Sequence, residues 1–277
     1  MSDRDFSGRA AWVTGGASGV GRACAVALAK AGADIAIGSL LAGHEKHVVP
    51  QQFVYLPSDS ELDDARIELE TFGTRVHAAP LDVTSDESVE NFFRSVTSIL
   101  GKIDILVNAA GSWGDQSMIN HPDEFWHRTI DVNLNGPYRT IKRVLPGMVE
   151  RGWGRIINIG STAATEGEKS NAAYCAAKHG LLGLTRCVAL EAAPYGVTCN
   201  AVSPGHLITT ATRQSIGREM ERTGLTFDDV LARRETKLVQ QRLIEPQEIA
   251  ATVAFLCSEG AKSFTMENLR QSGGTLW

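Results

Sequence analysis

Short apolar runs alternate with longer segments of helical periodicity from residue 10 almost to the end of the chain. The apolar runs predict buried strands, and the segments between them predict helices. Regular alternation of the two indicates an α/β fold, a doubly wound parallel sheet with helices on both faces. The expected strands are 10–14, 34–38, 75–80, 104–108, 154–160 and 197–202, with a weaker seventh at 267–271.

The expected helices occupy the intervals at 20–32, 85–100, 122–152, 172–193 and 246–260. Two stretches, 40–59 and 204–241, interrupt the alternation, and the second is expected to hold one or two short helices. Both follow strands, so they are candidate functional loops at the carboxyl edge of the sheet, where ligands of open α/β sheets bind. The whole chain, 1–277, is expected to form one domain with an insertion at 40–59 and a substrate loop at 204–241.

Charge and composition exclude several classes of function. The net charge is −5, and lysines and arginines are scattered among acids, which argues against a nucleic-acid partner. No apolar run approaches the roughly 20 residues that span a bilayer, and the N-terminus lacks the features of a secretory signal. Five cysteines without a CxxC pair, and histidines without HExxH spacing, favour reduced thiols and no metal. We therefore expect a cytoplasmic protein that binds neither metal nor membrane.

The segment TGGASGVG, residues 14–21, lies directly between a predicted strand and an alanine-rich helix. Here Gly15 permits the turn, Gly19 allows a pyrophosphate to approach the backbone, and Gly21 allows the helix to pack closely on the strand. The N-terminus of the helix then offers unpaired N–H groups to the anion. A tight turn without a ligand is the alternative for a lone motif of this kind.

Tyr174 and Lys178 lie four residues apart on a predicted helix and so share one face. An ammonium at about 5 Å, at an effective dielectric constant near 20, favours tyrosinate by roughly 3 kcal/mol, or about two pKa units. The pair therefore predicts a tyrosine with a lowered pKa that acts as acid and base. Ser161, thirteen residues before Tyr174 at the end of a strand, is placed to stabilise charge on a reacting oxygen. An isolated YxxxK pair is more often a surface tyrosine beside a solvated lysine.

Several further motifs follow in order: LDV at 81–83, NAAG at 108–111, Asn133 in DVNLNG, and SPG at 203–205. Together with TGxxxGxG, Ser161 and YCAAK at 174–178, this series resembles the classical short-chain dehydrogenase/reductase family over nearly the whole chain. The resemblance implies a Rossmann-type fold and a nicotinamide cofactor. The cofactor residues it implies are Gly15, Ser18, Gly19, Val20, Gly21, Ser39, Asp82, Val83, Asn108, Ala109, Gly111, Tyr174, Lys178, Pro204 and Gly205.

The resemblance also implies the reaction, interconversion of a secondary alcohol and a ketone by hydride transfer. In the family the tyrosine exchanges the proton, the serine binds the reacting oxygen and the lysine holds the nicotinamide ribose. The asparagine binds a water that connects the lysine to solvent. These catalytic roles fall on Tyr174, Ser161, Lys178 and Asn133, in that order.

The cofactor preference turns on the end of the second strand, where an acidic residue would bind the adenosine ribose and repel a 2′-phosphate. Ser39 stands there instead, which favours NADP over NAD. Against this, the 40–59 insertion resembles that of carveol-dehydrogenase-like members, which hold NAD tightly. His44, Lys46 or His47 in the insertion would supply positive charge if they folded over the adenosine.

The substrate is expected to be a small or medium alcohol or ketone, contacted by Trp113, Ser161, Thr162 and His206, with its identity set by the second loop and by the segment 162–168. The arginines of the second loop are candidates to meet an acidic substrate, although helical arginines are expected mainly on solvated faces; they are Arg213, Arg218, Arg233 and Arg234. The resemblance implies a homotetramer, although Met266 and Ser272 replace residues that members often carry as glycine and aspartate.

Three other classes of protein remain as alternatives, and in one of them, a structural or scaffold protein, the complete proton relay would be a coincidence. A sugar-nucleotide epimerase also uses YxxxK, but with different glycine spacing. A non-catalytic NADP-sensing regulator would tolerate loss of Ser161 or Tyr174, and both residues are intact.

Overall fold

Seven parallel strands form one sheet in a computed structural model that describes residues 6–44, 49 and 55–275. The strands are β1 Ala10–Thr14, β2 Asp34–Ser39, β3 Val76–Pro80, β4 Ile105–Asn108, β5 Gly154–Ile159, β6 Val197–Pro204 and β7 Asn268–Gln271. Their order is β3-β2-β1-β4-β5-β6-β7. The chain leaves β1 toward one edge and returns at β4 toward the other, so the order reverses beside β1. This is the doubly wound, Rossmann-type sheet predicted above, and all seven expected strands are present.

Helices cover both faces of this sheet. They are α1 Gly19–Lys30, α2 Asp59–Glu70, α3 Asp86–Leu100, α4 Asp123–Ile130, α5 Gly136–Glu150, α6 Ala172–Ala192, α7 Thr210–Thr223, α8 Phe227–Glu235 and α9 Pro246–Cys257. Alternate residues of β1 serve opposite faces, as the pleat requires. Ala11 and Val13 pack with α1, α2 and α9, whereas Ala10 and Trp12 pack with α3, α5 and the C-terminal part of α6.

Helix α2 was not predicted, because its sequence is strongly polar. Only Leu62, Ala65 and Leu69 are buried along its length. Its start carries a capping box in which the Ser58 side chain accepts from the backbone N–H of Glu61 and the Glu61 carboxylate accepts from Ser58. This S-x-x-E pattern was the available sequence signal for a helix directly after the 40–59 insertion.

The helix predicted over 122–152 is divided by one π-helical segment, Asp131–Asn135, which separates α4 from α5. The prediction of a single regular helix was therefore wrong. Pro137 lies at the start of α5 and has no backbone N–H group, so one i to i−4 hydrogen bond cannot form there. Single π turns inside α-helices are frequent at functional sites, and this one carries Asn133.

Two short helices, α7 and α8, occupy the predicted substrate loop, and we call residues 210–237 the cover segment. Thr209 caps α7 through the N–H of Thr212, and Thr226 caps α8 through the N–H of Asp229. The two helices pack on each other, and Ile216 and Val230 are fully buried. The cover segment is thereby an ordered pair of helices anchored by its own small core.

The C-terminal edge strand β7 pairs with β6, and the turn before it contains an unusual backbone conformation. Met266 has φ of 68°, in the left-handed region that favours glycine, and its N–H donates to the Cys199 carbonyl over 2.9 Å. Met266 therefore occupies a backbone conformation that glycine adopts without strain, where family members often carry glycine. The methionine side chain adds local backbone strain at this position.

Within the described ranges, none of the helices combines the length and apolar character needed to cross a membrane.

Candidate active site

One large cavity, about 1660 Å³, opens at the carboxyl edge of the sheet. It is lined from the ends of β1, β2, β5 and β6 and from the segment after β4, which lie beside the point where the strand order reverses. The cover segment closes the other side. Of the predicted cofactor, catalytic and substrate residues, all line this cavity except Asn108 and Asn133.

The glycine loop between β1 and α1 has the geometry predicted for an anion cradle. A Cβ on Gly21 would lie 2.2 Å from the Gly15 carbonyl oxygen, so only glycine allows α1 to pack this closely. Gly19 has φ of 52°, and a Cβ there would meet nothing nearer than Thr209 at 3.8 Å. The Ser18 side chain does not cap α1, which leaves its first N–H groups directed at the cavity. The loop therefore fits the pyrophosphate of a dinucleotide.

The adenosine end of the cavity is bounded by Ser39 and Asp82. Ser39 is buried, and its Oγ accepts from the Ala17 N–H over 3.1 Å, so the hydroxyl retains its proton for donation to a ligand. Asp82 Oδ1 accepts from both the N–H and the hydroxyl of Thr84, which orients the carboxylate. Val83 follows in the cavity wall. The structure thus places a hydroxyl, and no carboxylate, at the end of β2.

The insertion contributes Val49 and residues 55–57 to the same end of the cavity. His44 lies 3.6 Å from Asp59 and is not in the lining. Lys46 and His47, the other two residues proposed to approach the adenosine, lie outside the described residues.

Asn108 supports the cavity from below. Its Nδ2 donates to Asn158 Oδ1 over 2.9 Å, and Thr140 Oγ1 donates to its Oδ1 over 2.7 Å. These bonds join β4, β5 and α5 at the level of the strand ends. The lining itself comes from Ala109 and the residues after it, whose backbone is held by Thr14. Asn108 therefore positions the wall and does not form it.

Three polar side chains meet at the centre of the cavity. Tyr174 and Lys178 share one face of α6, and the Lys178 ammonium lies 5.5 Å from the centroid of the Tyr174 ring. Lys178 is buried and donates to the Ile159 carbonyl over 2.8 Å. Ser161 follows β5 and lines the same cavity, and its interaction with Tyr174 lowers the pKa of the phenol. The three residues therefore share one cavity, and the catalytic roles assigned to them stay a prediction.

The pKa of Tyr174 is raised to about 12 by burial, which the hydrogen bond from Ser161 only partly offsets and the nearby Glu168 carboxylate reinforces. Burial lowers the pKa of Lys178 to about 8. The predicted lowering of the tyrosine pKa by the lysine was therefore wrong. Desolvation of the phenolate outweighs the attraction, because the ammonium is directed at the Ile159 carbonyl and is itself desolvated.

Asn133 lies behind the cavity, fully buried in the π-helical segment. Its Nδ2 donates to the carbonyls of Ser112 and Thr129, over 2.7 and 3.0 Å. Its Oδ1 has no hydrogen-bond partner within the described structure. A buried acceptor of this kind is usually satisfied by an ordered water.

Sequence reasoning missed several cavity residues, among them Asp115 and Asn171. Asn171 Nδ2 donates over 2.7 Å to Glu168, which ends the 162–168 segment expected to contribute to substrate choice. The position of Asn171, three residues before Tyr174 at the start of α6, was the available signal. Asp115 comes from an irregular segment whose placement depends on residues far away in the chain.

The arginines of the cover segment are mostly exposed, as predicted. Arg213, Arg218 and Arg233 are exposed, and Arg234 is half-buried. Arg218, Arg233 and Arg234 also line the open cavity, whereas Arg213 does not, because helical periodicity does not reveal which face meets a cavity. Arg213 instead lies over the Phe227 ring at 5.9 Å.

His206 lines the cavity, as predicted, together with Trp113 and Thr162. Enclosure by protein lowers the pKa of His206, opposed by Glu168 and reinforced by Lys237 and Arg234. At neutral pH the imidazole is therefore predominantly neutral. Among the residues that the structure describes, no group of three His, Cys, Asp or Glu side chains is arranged to hold a metal ion.

Comparison with known proteins identifies the family. Residues 15–275 match the family model described as enoyl-(acyl carrier protein) reductase. The chain is 34% identical to D-β-hydroxybutyrate dehydrogenase of Rhizobium meliloti, over 96% of this chain and 98% of that protein. It is 36% identical to 3-oxoacyl-(acyl-carrier-protein) reductase of Vibrio cholerae, over 98% of both. The chain belongs to the short-chain dehydrogenase/reductase family of oxidoreductases.

Solved structures agree with this assignment. An actinorhodin polyketide ketoreductase with NADPH superposes with a TM-score of 0.86 at 31% identity, over 99% of this chain and 98% of that chain. L-Sorbose reductase from Gluconobacter frateurii, complexed with NADPH and L-sorbose, gives a TM-score of 0.89 at 27% identity, over 100% and 99%. Membership of the family, together with the glycine loop, assigns the cavity to a nicotinamide cofactor, NAD or NADP.

Proposed function

We propose that the protein interconverts a secondary alcohol and a ketone by hydride transfer, with Tyr174 as the acid and base. The observation that carries the proposal is the meeting of Ser161, Tyr174 and Lys178 in one cavity, at the end of the cofactor cradle. Its supports are the dehydrogenases and ketoreductases among the relatives. A regulator without catalysis would have no need of a buried lysine beside a half-buried tyrosine.

In ketone reduction the substrate oxygen accepts hydrogen bonds from the Ser161 and Tyr174 hydroxyls, which stabilise the charge that develops there. The bound nicotinamide supplies the hydride. Tyr174 transfers its phenolic proton to the substrate oxygen, and the Lys178 ammonium stabilises the tyrosinate that remains. Asn133 holds the water that its unpartnered Oδ1 requires, and this water returns a proton toward Lys178 and Tyr174.

Burial raises the pKa of Tyr174 to about 12, so the phenol keeps its proton near neutral pH, the form that donates in ketone reduction. Alcohol oxidation must begin with tyrosinate, so we expect it to require a higher pH than reduction. The positive charge of oxidised nicotinamide would offset part of this rise in pKa.

NADP is the proposed cofactor. Ser39 at the end of β2 has a hydroxyl proton to donate to a 2′-phosphate, and the carboxylate that would repel the phosphate is absent from this position. Two similar solved structures contain NADPH. A carveol-dehydrogenase-like preference for NAD is the alternative, with the 40–59 insertion as its only support.

The proposal is tested by following cofactor oxidation with a panel of ketones, using NADPH and NADH at equal concentrations. Stereospecifically deuterated cofactor then shows whether deuterium appears on the carbinol carbon of the product. We expect transfer of the label, and a higher kcat/KM with NADPH. Turnover only with NADH would overturn the cofactor assignment. Reaction without transfer of the label to carbon would overturn the reaction itself.

A further inference from the structure

The charged residues of the cover segment are sorted between its two sides. Five cations line the cavity, and the only lining acid from this segment is Glu219; the cations are Arg218, Arg222, Arg233, Arg234 and Lys237. The charged residues of 210–237 that do not line the cavity have the opposite balance: Arg213, Glu221, Asp228, Asp229 and Glu235. Every residue of this segment is described, so the sorting is complete. Arg218, Arg222, Arg233 and Lys237 are exposed, so these cations stand at the open mouth of the cavity.

Carboxylates within the cavity balance only part of this positive charge. Glu219 pairs with Arg234, whose guanidinium lies 2.8 Å from the carboxylate and also donates to Ser215. Glu166 pairs with Arg270, which lies outside the cover segment. The remaining acids of the substrate half, Asp115 and Glu168, leave the cations in excess. The outer part of the cavity therefore has a positive potential.

The charges also have a spatial order along the cavity. Glu168 accepts a hydrogen bond from Asn171, three residues before Tyr174 at the start of α6, and its charge raises the pKa of Tyr174. The cations lie on α7, on α8 and just after α8. Asp115 is influenced by both sets, since Glu168 raises its pKa and Arg222 and Arg234 oppose that effect. The carboxylate is therefore on the tyrosine side of the cavity, and the cations are on the cover side.

From this order we infer that the substrate is a ketone or alcohol with an anionic group, carboxylate or phosphate, separated from the reacting carbon by several bonds. The inference rests on the proposed reaction and specifies its substrate class. The anion binds at Arg222, Lys237 and their neighbours on the cover segment. An anion adjacent to the reacting carbon meets Glu168 and is disfavoured. The same contact draws the two cover helices over the bound substrate.

Matched substrates test the inference. We expect 5-oxohexanoate to have a kcat/KM at least about fivefold above that of its methyl ester, and pyruvate to be poor, since a few exposed charge pairs of up to about 1 kcal/mol each give effects of this size. The second arm compares the kcat/KM of dihydroxyacetone phosphate with that of dihydroxyacetone, and it distinguishes a preference for phosphate from one for carboxylate. The advantage of the anion should shrink as salt rises, whereas the neutral compound should show little change. Equal use of charged and neutral partners in both arms would overturn the inference.

The residues are tested with Arg222→Gln combined with Lys237→Gln. We expect the preference for the anionic partner to fall about fivefold or more, mainly through KM, with neutral substrates unaffected. Arg213→Gln is the matched control, because it removes a cation from the same helix on the side away from the cavity. An unchanged preference in the double variant, or an equal loss in the control, would contradict the assignment.

A measurement of substrate binding without turnover tests the anion site independently of the proposed reaction. The variant Tyr174→Phe keeps every charge in the cavity, so titration calorimetry with NADPH present should still show tighter binding of the keto acid than of its ester. Tighter binding without turnover in the wild type would support the anion site while the proposed reaction fails. Turnover of neutral ketones without any preference for the anion would leave the reaction standing and remove the anion site.

Discussion

Lys178 is a buried cation, and its desolvated environment disfavours the charged form of the side chain. It is 5% exposed and donates to the Ile159 carbonyl, yet burial lowers its pKa to about 8. A cation of lowered pKa beside the half-buried Tyr174 is suited to exchange protons, and it destabilises the fold at neutral pH. Function and stability therefore conflict at this residue.

The conflict predicts how stability depends on pH. Below pH 8 both folded and unfolded chains carry the Lys178 proton, and the folded protein bears the full cost of the buried charge. Above that pH the folded protein loses the proton first, so the unfolded chain binds more protons and stability rises with pH. Between about pH 8 and about pH 10, wild type should gain roughly 2–3 kcal/mol relative to Lys178→Met. Denaturant unfolding of both proteins across this range measures the difference, and a constant difference would contradict the lowered pKa.

The cofactor cradle depends on how closely α1 approaches β1, and Gly21 controls that distance. A Cβ there would lie 2.2 Å from the Gly15 carbonyl oxygen, so Gly21→Ala must displace the helix. We expect a loss of about 3 kcal/mol or more, or failure to fold, because overpacking against backbone has no cheap relief. Gly217→Ala is the control. A Cβ on Gly217 meets nothing within 4 Å, so this helical substitution should stabilise by up to about 1 kcal/mol. Near-native stability of Gly21→Ala in thermal unfolding would contradict the packing argument.

At the same scale, elements with strong local signals could be predicted from the sequence. Strands buried on both faces are continuous apolar runs, and the glycine loop has separate steric requirements at each position. Helix α2 has few buried residues, and the Asp131–Asn135 π segment does not interrupt the apolar pattern, so neither was found. Which side of α7 and α8 lines the cavity depends on contacts with residues far away in the chain, so it could not be predicted either. The position of Ser161 could be predicted because it comes directly after the buried strand β5. Tyr174 lies near the start of α6, the next long helix along the chain.

At the scale of the whole molecule, the homotetramer implied by the family resemblance stays a prediction, and exposed apolar side chains are its candidate contacts. Leu190 on α6 is 64% exposed and Tyr138 on α5 is 48% exposed. Phe255 on α9 and Met266 before β7 are also exposed, at the C-terminal edge named in the sequence analysis. Apolar groups of this size on the long helices and the edge strand are suited to contacts between subunits.

Light scattering after size-exclusion chromatography tests the assembly. The chain mass is 29.8 kDa, and we expect a particle of about four times that mass. Leu190→Asp should shift it to smaller species, whereas Ile67→Asp, an exposed apolar position on α2, should not. A monodisperse wild-type monomer would contradict the tetramer.

The most direct test of the account is Tyr174→Phe, which removes one oxygen from the cavity and leaves its shape intact. We expect kcat to fall about a thousandfold or more, the range for loss of a general acid, while the Kd for NADPH changes less than about twofold. Tyr195→Phe, at an exposed tyrosine outside the cavity, should match the wild type in both. Undiminished turnover in Tyr174→Phe, measured with any ketone that the wild type reduces, would contradict the assignment of Tyr174 as the acid and base.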